Sequence, residues 1–229
     1  MKKLSGIKTV ICDIDDTLYP STEFASIARK NAIQSMLEAG LDAGAGRAYA
    51  ALSAIVAKYS SNYPHHLDRL CEKFGCLGDK KIIAAGIKGY HDTKLTIQPF
   101  PDVPRTLLEL RLRGYKLCVA SEGFAIKQWE KLIRLRLHHF FGQVFVSEEL
   151  GMSKSKKFYV HIAGKLGNAG NCLMAGDRLE KDIIPAKAAG MRTALLLASQ
   201  NGRDIELNKP SSKYIDLRLR TFSDLLKYL

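Results

Sequence analysis

Asp13-Ile14-Asp15-Asp16-Thr17 places three carboxylates and a hydroxyl within five consecutive residues. The run before it, Thr9-Val10-Ile11-Cys12, is short, apolar and β-branched, and reads as a buried strand that ends where the acids begin. In open α/β sheets ligands bind beyond the carboxyl ends of the strands. Strand alternation would put Asp13 and Asp15 on one side. Two carboxylates this close repel by a few kcal/mol at an effective dielectric of about 20, so a cation is expected among them. The competing reading is a polar turn in which Asp side chains cap backbone N–H groups.

Three further polar stretches follow apolar, strand-like runs. Ser121-Glu122-Gly123 follows Lys116–Ala120, Gly151-Met152-Ser153-Lys154 follows Gln143–Val146, and Gly176-Asp177 follows Cys172–Ala175, with Asp182 five residues further on. Equivalent ends of parallel strands converge on one crevice. Carboxylate oxygens there suit Mg²⁺, and a lysine, a hydroxyl and loop N–H groups suit phosphate oxygens.

The elements that must position these groups alternate as strand and helix from Pro104 onward. Helices are expected over Ile126–Leu137, Lys156–Leu166 and Asp182–Ala189. Further strands are expected at Thr193–Leu197 and, as an edge, Tyr214–Leu217. A polar loop containing Pro210 is expected over Ser199–Lys213, and Thr221-Phe222-Ser223-Asp224 resembles a capping box opening a last helix. Between Thr22 and Lys94 only helical periodicity appears, in four segments, the fourth interrupted by Gly86 and Gly89. The fold class is therefore α/β: a Rossmann-like parallel sheet flanked by helices, with an inserted all-helical cap. The core is expected over residues 1–18 plus 98–229 and the cap over 19–97. With only two linkers joining them, the cap is expected to move as a lid.

The 229 residues, 46% hydrophobic and 25% charged, suffice for a buried core. No apolar run approaches the length of a membrane span, and Met1-Lys2-Lys3-Leu4-Ser5 leads into no signal core. Five cysteines form no disulfide framework, and Cys71 and Cys76 have the wrong spacing for a zinc knuckle. A cytoplasmic protein is expected. The net charge of +12 is scattered rather than arranged in an aromatic-interleaved run. It reads as a basic surface with a local anion site, with no obligate nucleic acid and no membrane partner.

The set Asp13-x-Asp15-x-Thr17, Ser121, Lys154 and Gly176-Asp177-x4-Asp182 resembles the haloacid dehalogenase superfamily of aspartate-nucleophile hydrolases, in family order across the whole core. Asn62-Tyr63-Pro64 and Lys127-Gln128-Trp129-Glu130-Lys131 are similar to an archaeal branch that includes glyceraldehyde 3-phosphate phosphatases. The resemblance implies a Mg²⁺-dependent phosphomonoesterase acting on a small phosphorylated metabolite. Asp13 would be the nucleophile and Asp15 the general acid and base. Mg²⁺ would be held by the Asp13 and Asp177 carboxylates and the Asp15 backbone carbonyl. Ser121, the N–H groups of Glu122 and Gly123, and Lys154 would bind phosphoryl oxygens. Thr17 would hold the first loop in place, and Asp182 would orient Lys154 or a metal-bound water. The chain departs from the family pattern at Ser155, where proline usually follows the lysine, and at Glu122, whose charge faces an anion site. Ser155 could instead cap the next helix. A mutase or phosphotransferase, a 2-haloacid dehalogenase and a nucleic-acid-binding protein are the alternatives. The dehalogenase is disfavoured by an acid at Asp15. Tyr19, Tyr59, Tyr63 and Lys94 are the polar residues of the cap offered for substrate selection. Oligomeric state is not legible.

Overall fold

The computed structural model describes residues 3–197 and 213–229. The chain divides into two compact units, one comprising Met1–Pro20 and Gln98–Leu229, the other Ser21–Ile97. In the first unit six parallel strands form one sheet in the order β3-β2-β1-β4-β5-β6. They are β1 (Thr9–Cys12), β2 (Lys116–Ser121), β3 (Gln143–Val146), β4 (Cys172–Gly176), β5 (Arg192–Leu196) and β6 (Leu217–Leu219). β1 is buried along its whole length because it is central and covered on both faces, which explains its continuous apolar run. The strand order reverses between β1 and β4. Their register pairs Cys12 with Ala175, so Asp13 leaves the sheet level with Gly176, one residue before Asp177. The Asp13 N–H donates to the Ala175 carbonyl at 3.0 Å, which carries the pairing one residue past β1.

The flanking helices of this unit are α5 (Val103–Leu112), α6 (Ala125–Arg134), α7 (Lys156–Leu166), α8 (Ile184–Ala188) and the short α9 (Leu225–Tyr228). Phe158, Tyr159 and Ile162 of α7 pack with Ile11, Cys118 and Met174 of the sheet in one apolar cluster. No helix among the described residues is long and apolar enough to cross a membrane.

Three expectations need correction. The edge strand is Leu217–Leu219, not Tyr214–Leu217. The residues before it are held by polar contacts: the Thr193 hydroxyl donates to the Tyr214 carbonyl, and the Asp216 carboxylate accepts from Lys187, Arg192 and the Thr193 N–H. The helix expected over Asp182–Ala189 opens instead with a π-turn over Leu179–Ile183 before α8, closed by the Ile183 N–H donating to the Arg178 carbonyl at 3.3 Å. A wide turn of this kind re-aims one side chain, here Asp182. The helix expected over Ile126–Leu137 is α6, which ends at Arg134. The polar loop expected over Ser199–Lys213 falls, apart from Lys213, outside the described residues.

The second unit contains α1 (Ser21–Glu38), α2 (Ala45–Tyr59), α3 (His66–Lys73) and α4 (Lys80–Thr93), around a cluster of its own that includes Met36, Leu52, Leu70 and Ile83. α4 starts under Asp79, whose carboxylate accepts from the Lys81 and Ile82 N–H groups at 3.0 and 3.1 Å. Gly86 and Gly89 do not break α4, because they are where α1 lies against it. A Cβ on Gly89 would lie 2.5 Å from the Ser35 hydroxyl and 2.8 Å from the Asn31 carbonyl, and one on Gly86 would lie 2.7 Å from Met36 Cγ. Gly89→Ala is therefore expected to destabilise by about 1–3 kcal/mol through overpacking, against a gain of about 1 kcal/mol in helix propensity. Gly46, in α2 with open space beside it, serves as the control: Gly46→Ala should hold or raise the melting temperature. Equal melting shifts for the two variants would refute the close-packing account of Gly89.

Candidate active site

Asp13 follows β1, and its carboxylate is buried against Lys154, whose Nζ donates to Asp13 Oδ1 at 2.5 Å and to Asp182 Oδ1 at 2.6 Å. Lys154 comes from the loop between β3 and α7 and is buried, whereas Lys156 and Lys157 are exposed. Burial works against the Lys154 charge, but Asp13 and Asp182 outweigh it and keep the ammonium protonated well above its ordinary range. Ser155 stands at the N-cap of α7 without a capping bond from its side chain.

Asp182 is 0% exposed and fully engaged. Its Oδ2 accepts from the Arg178 N–H at 3.1 Å, and its Oδ1 takes Lys154 and lies 3.4 Å from the Tyr159 hydroxyl. The carboxylate packs directly over Gly176, where a Cβ would lie 2.6 Å from Asp182 Cγ. Glycine before Asp177 is thus required by the acid five residues later, which the π-turn folds back over the end of β4.

Carboxylate oxygens of Asp13, Asp177 and Asp182 lie within 4.8 Å of one another, a spacing that could hold a metal ion. Because both Asp182 oxygens are engaged, Asp13 and Asp177 are the carboxylates of this group best able to face a cation. Burial pushes the Asp177 carboxyl up to about 7; Asp182 and Asp16 add repulsion, while a backbone N–H and Lys154 oppose it. Burial likewise pushes Asp13 up to about 8, against Lys154 and with repulsion from Asp182, Asp15 and Asp177. Two desolvated acids that resist ionisation fit a hard divalent cation that would stabilise their charged forms.

Asp15 is not part of this group. The chain turns after β1, with the Leu18 N–H donating to the Ile14 carbonyl at 2.9 Å and Asp16 at φ 53°, so strand alternation does not extend to Asp15. Its two carboxylate oxygens accept from Lys131 Nζ at 2.6 and 2.7 Å. The Thr17 N–H lies 3.4 Å from the Ile14 carbonyl, while its buried hydroxyl has no hydrogen-bond partner among the described residues. Thr17 therefore closes this loop through its backbone.

Ser121 ends β2 and is 1% exposed. The loop after it departs from the expected arrangement at Gly123. The Gly123 N–H, expected to face an anion, donates to the Ser147 hydroxyl at 2.9 Å, and the Ala125 N–H donates to Glu148 at 2.7 Å. The Glu122 carboxylate is paired with Lys181 at 3.0 Å, which offsets its charge beside the anion site. Sequence reasoning did not single out Lys131, Gln128, Ser147 or Lys181 for the site. Gln128 and Lys131 carried two signals: their membership of the Lys127–Lys131 stretch that resembles the archaeal branch, and their helical spacing, three residues apart on α6.

The model of the haloacid dehalogenase-like hydrolases matches residues 7–190. The chain belongs to this family. It is 47% identical to the glyceraldehyde 3-phosphate phosphatase of Methanopyrus kandleri, over 82% of each chain. It is 40% identical to the protein of the same name from Methanocaldococcus jannaschii, over 96% of each. The crystal structure of a HAD phosphatase from Thermococcus onnurineus shares the fold, with a TM-score of 0.69 at 23% identity over 96% of this chain and 97% of that one.

A pH dependence follows from Asp177. Its folded value of about 7 lies above the ordinary 3.8, so without a divalent cation stability should fall as pH rises from about 4 to about 7. Asp177→Asn removes the Asp177 share of that decline, while Asp13 keeps its own, and should stabilise the chelator-treated protein at pH 8 by about 2–4 kcal/mol while weakening the stabilisation that Mg²⁺ gives the wild type. Urea denaturation at pH 5 and pH 8, with EDTA or Mg²⁺, checks both. Identical pH profiles for the two proteins would refute the burial argument.

Proposed function

We propose that this phosphatase hydrolyses a small phosphomonoester through an aspartyl-phosphate on Asp13. The observation that carries the reading is the buried Asp13 carboxylate at the strand-order reversal, in contact with Lys154 and grouped with Asp177. In the first step an Asp13 oxygen attacks phosphorus, the bond to the ester oxygen breaks, and Asp15 gives its proton to the departing alkoxide. In the second, Asp15 takes a proton from a water that attacks the acyl phosphate; inorganic phosphate leaves and Asp13 is regenerated. Lys154 donates two N–H groups to Asp13 and Asp182, leaving its third for a phosphoryl oxygen. Ser121 and the Glu122 N–H are assigned to the other phosphoryl oxygens. Mg²⁺, held by the Asp13 and Asp177 carboxylates and the Asp15 carbonyl, would offset repulsion between the anionic nucleophile and the ester.

Glyceraldehyde 3-phosphate is the proposed substrate, supported by relatives of that name that align with most of this chain. The residue 19–97 insert would then select a short leaving group, of about three to six carbons, in the way a lid commits a small substrate. A cytoplasmic setting belongs to the same reading, supported by the odd count of cysteines. The acid at Asp15 disfavours dehalogenation, which produces no alkoxide to protonate.

A panel of phosphorylated metabolites scored by kcat/KM with Mg²⁺ tests the reading. Triose phosphates should rank first and phosphopeptides last, EDTA should abolish turnover, and Asp13→Asn should lower kcat by roughly a thousandfold or more. Hydrolysis that survives both EDTA and Asp13→Asn would refute it.

A further inference from the structure

Lys131 lies 116 residues from Asp15 in the chain and is held at several points. Its Nζ donates to both Asp15 oxygens and, at 3.2 Å, to Gln128 Oε1. It also sits 5.9 Å from the ring centroid of Tyr19, a buried residue that forms a β-bridge with Asp15. Gln128 is 4% exposed, and its Nε2 donates to the Glu122 carbonyl at 3.0 Å. The Gln128 amide also fills the space beside Gly123, where a Cβ would lie 2.8 Å from Nε2. One turn of α6 thus joins the loop after β2 to the carboxylate after β1.

We propose that Gln128 and Lys131 are a positioning pair that fixes Asp15 relative to the Glu122–Gly123 loop. The inference rests on Asp15 being the acid and base of the reaction. An ammonium has three N–H donors, and all three of Lys131's have acceptors within the protein, so its role is to orient Asp15 rather than to bind the ester. A carboxylate offers about four lone-pair positions; Lys131 occupies two, and the others remain for water or the leaving group. The Asp15 side chain is 36% exposed and would otherwise sample several rotamers. A misplacement of about 1 Å at a reacting group costs on the order of a hundredfold in rate.

The test is steady-state kinetics with Mg²⁺ on an alkyl phosphate and on 4-nitrophenyl phosphate, whose leaving group needs little protonation. Lys131→Met should lower kcat for the alkyl ester by about 10- to 100-fold, with KM within about threefold and a smaller loss on the aryl ester. Lys131→Arg should recover most of the alkyl activity. The double variant Asp15→Asn/Lys131→Met should be no slower than Asp15→Asn alone, because the two residues act as one unit. If Lys131→Met melts below the assay temperature, Gln128→Leu, which keeps the Lys131–Asp15 pair, should show the same alkyl-selective loss at smaller size. A rise in KM at unchanged kcat, equal losses on both esters, or additive losses in the double variant would overturn the proposal. Slow Asp15→Asn beside a wild-type Lys131→Met defeats the positioning role alone. Alkyl turnover unchanged in Asp15→Asn defeats the acid–base reading of Asp15, and the positioning role with it.

Discussion

The contact of Lys154 with Asp13 and Asp182 is the constraint on which the rest of the core depends. Three carboxylates and one ammonium meet where water is excluded, and desolvating each charge costs several kcal/mol unless it is matched. If every group is ionised, the acids Asp13, Asp177 and Asp182 and the lysine leave two negative charges unmatched. A divalent cation closes that balance; a monovalent one does not. The raised values of Asp13 and Asp177 come first from burial, with the neighbouring carboxylates adding to them. The arrangement therefore trades stability for a buried Asp13 carboxylate, the proposed nucleophile, whose charge would be fully developed only in the presence of a counter-ion.

The sheet order makes this meeting possible. Because β1 and β4 are neighbours at the reversal, Asp13 and Asp177 arrive from different segments of the chain without any long loop. Gly176 then lets Asp182 fold back over the strand end, and the π-turn supplies the extra residue that brings its carboxylate to Lys154. Each device is local, and together they bring the Asp182 carboxylate to the buried Lys154 ammonium.

How much of this was legible in the sequence follows from the same physics. Asp13, Asp177, Asp182 and Lys154 stand immediately after apolar runs or at fixed spacing from glycine, and strand ends are marked by periodicity, so the parallel sheet and the acid group could be read. The π-turn could not, because periodicity does not encode one extra residue in a turn or the close approach of Asp182 to Gly176. The edge strand was placed too early because Asp216, bonded to Lys187 and Arg192, holds polar chain where β-propensity alone suggested a strand. The role of Lys131 was hidden for another reason. Basic residues on an amphipathic helix are usually solvated, and only the tertiary fold reveals which one turns toward a carboxylate 116 residues away. Gly86 and Gly89 looked like helix breakers because propensity carries no information about a neighbouring helix.

The strongly basic composition also takes a different meaning in three dimensions. Three lysines near the site, among the described residues, are each matched: Lys154 by Asp13 and Asp182, Lys131 by Asp15, and Lys181 by Glu122. The site therefore contributes little to the chain's net charge of +12, which lies mainly elsewhere, where salt screens it beyond roughly 10 Å. On the proposed mechanism, attraction of a phosphate dianion would come from the counter-ion of the acid group, from the remaining N–H of Lys154 and from the backbone after Ser121. On that mechanism, binding of the ester and of the cation would be one linked equilibrium, in which each ligand supplies the charge that makes a place for the other.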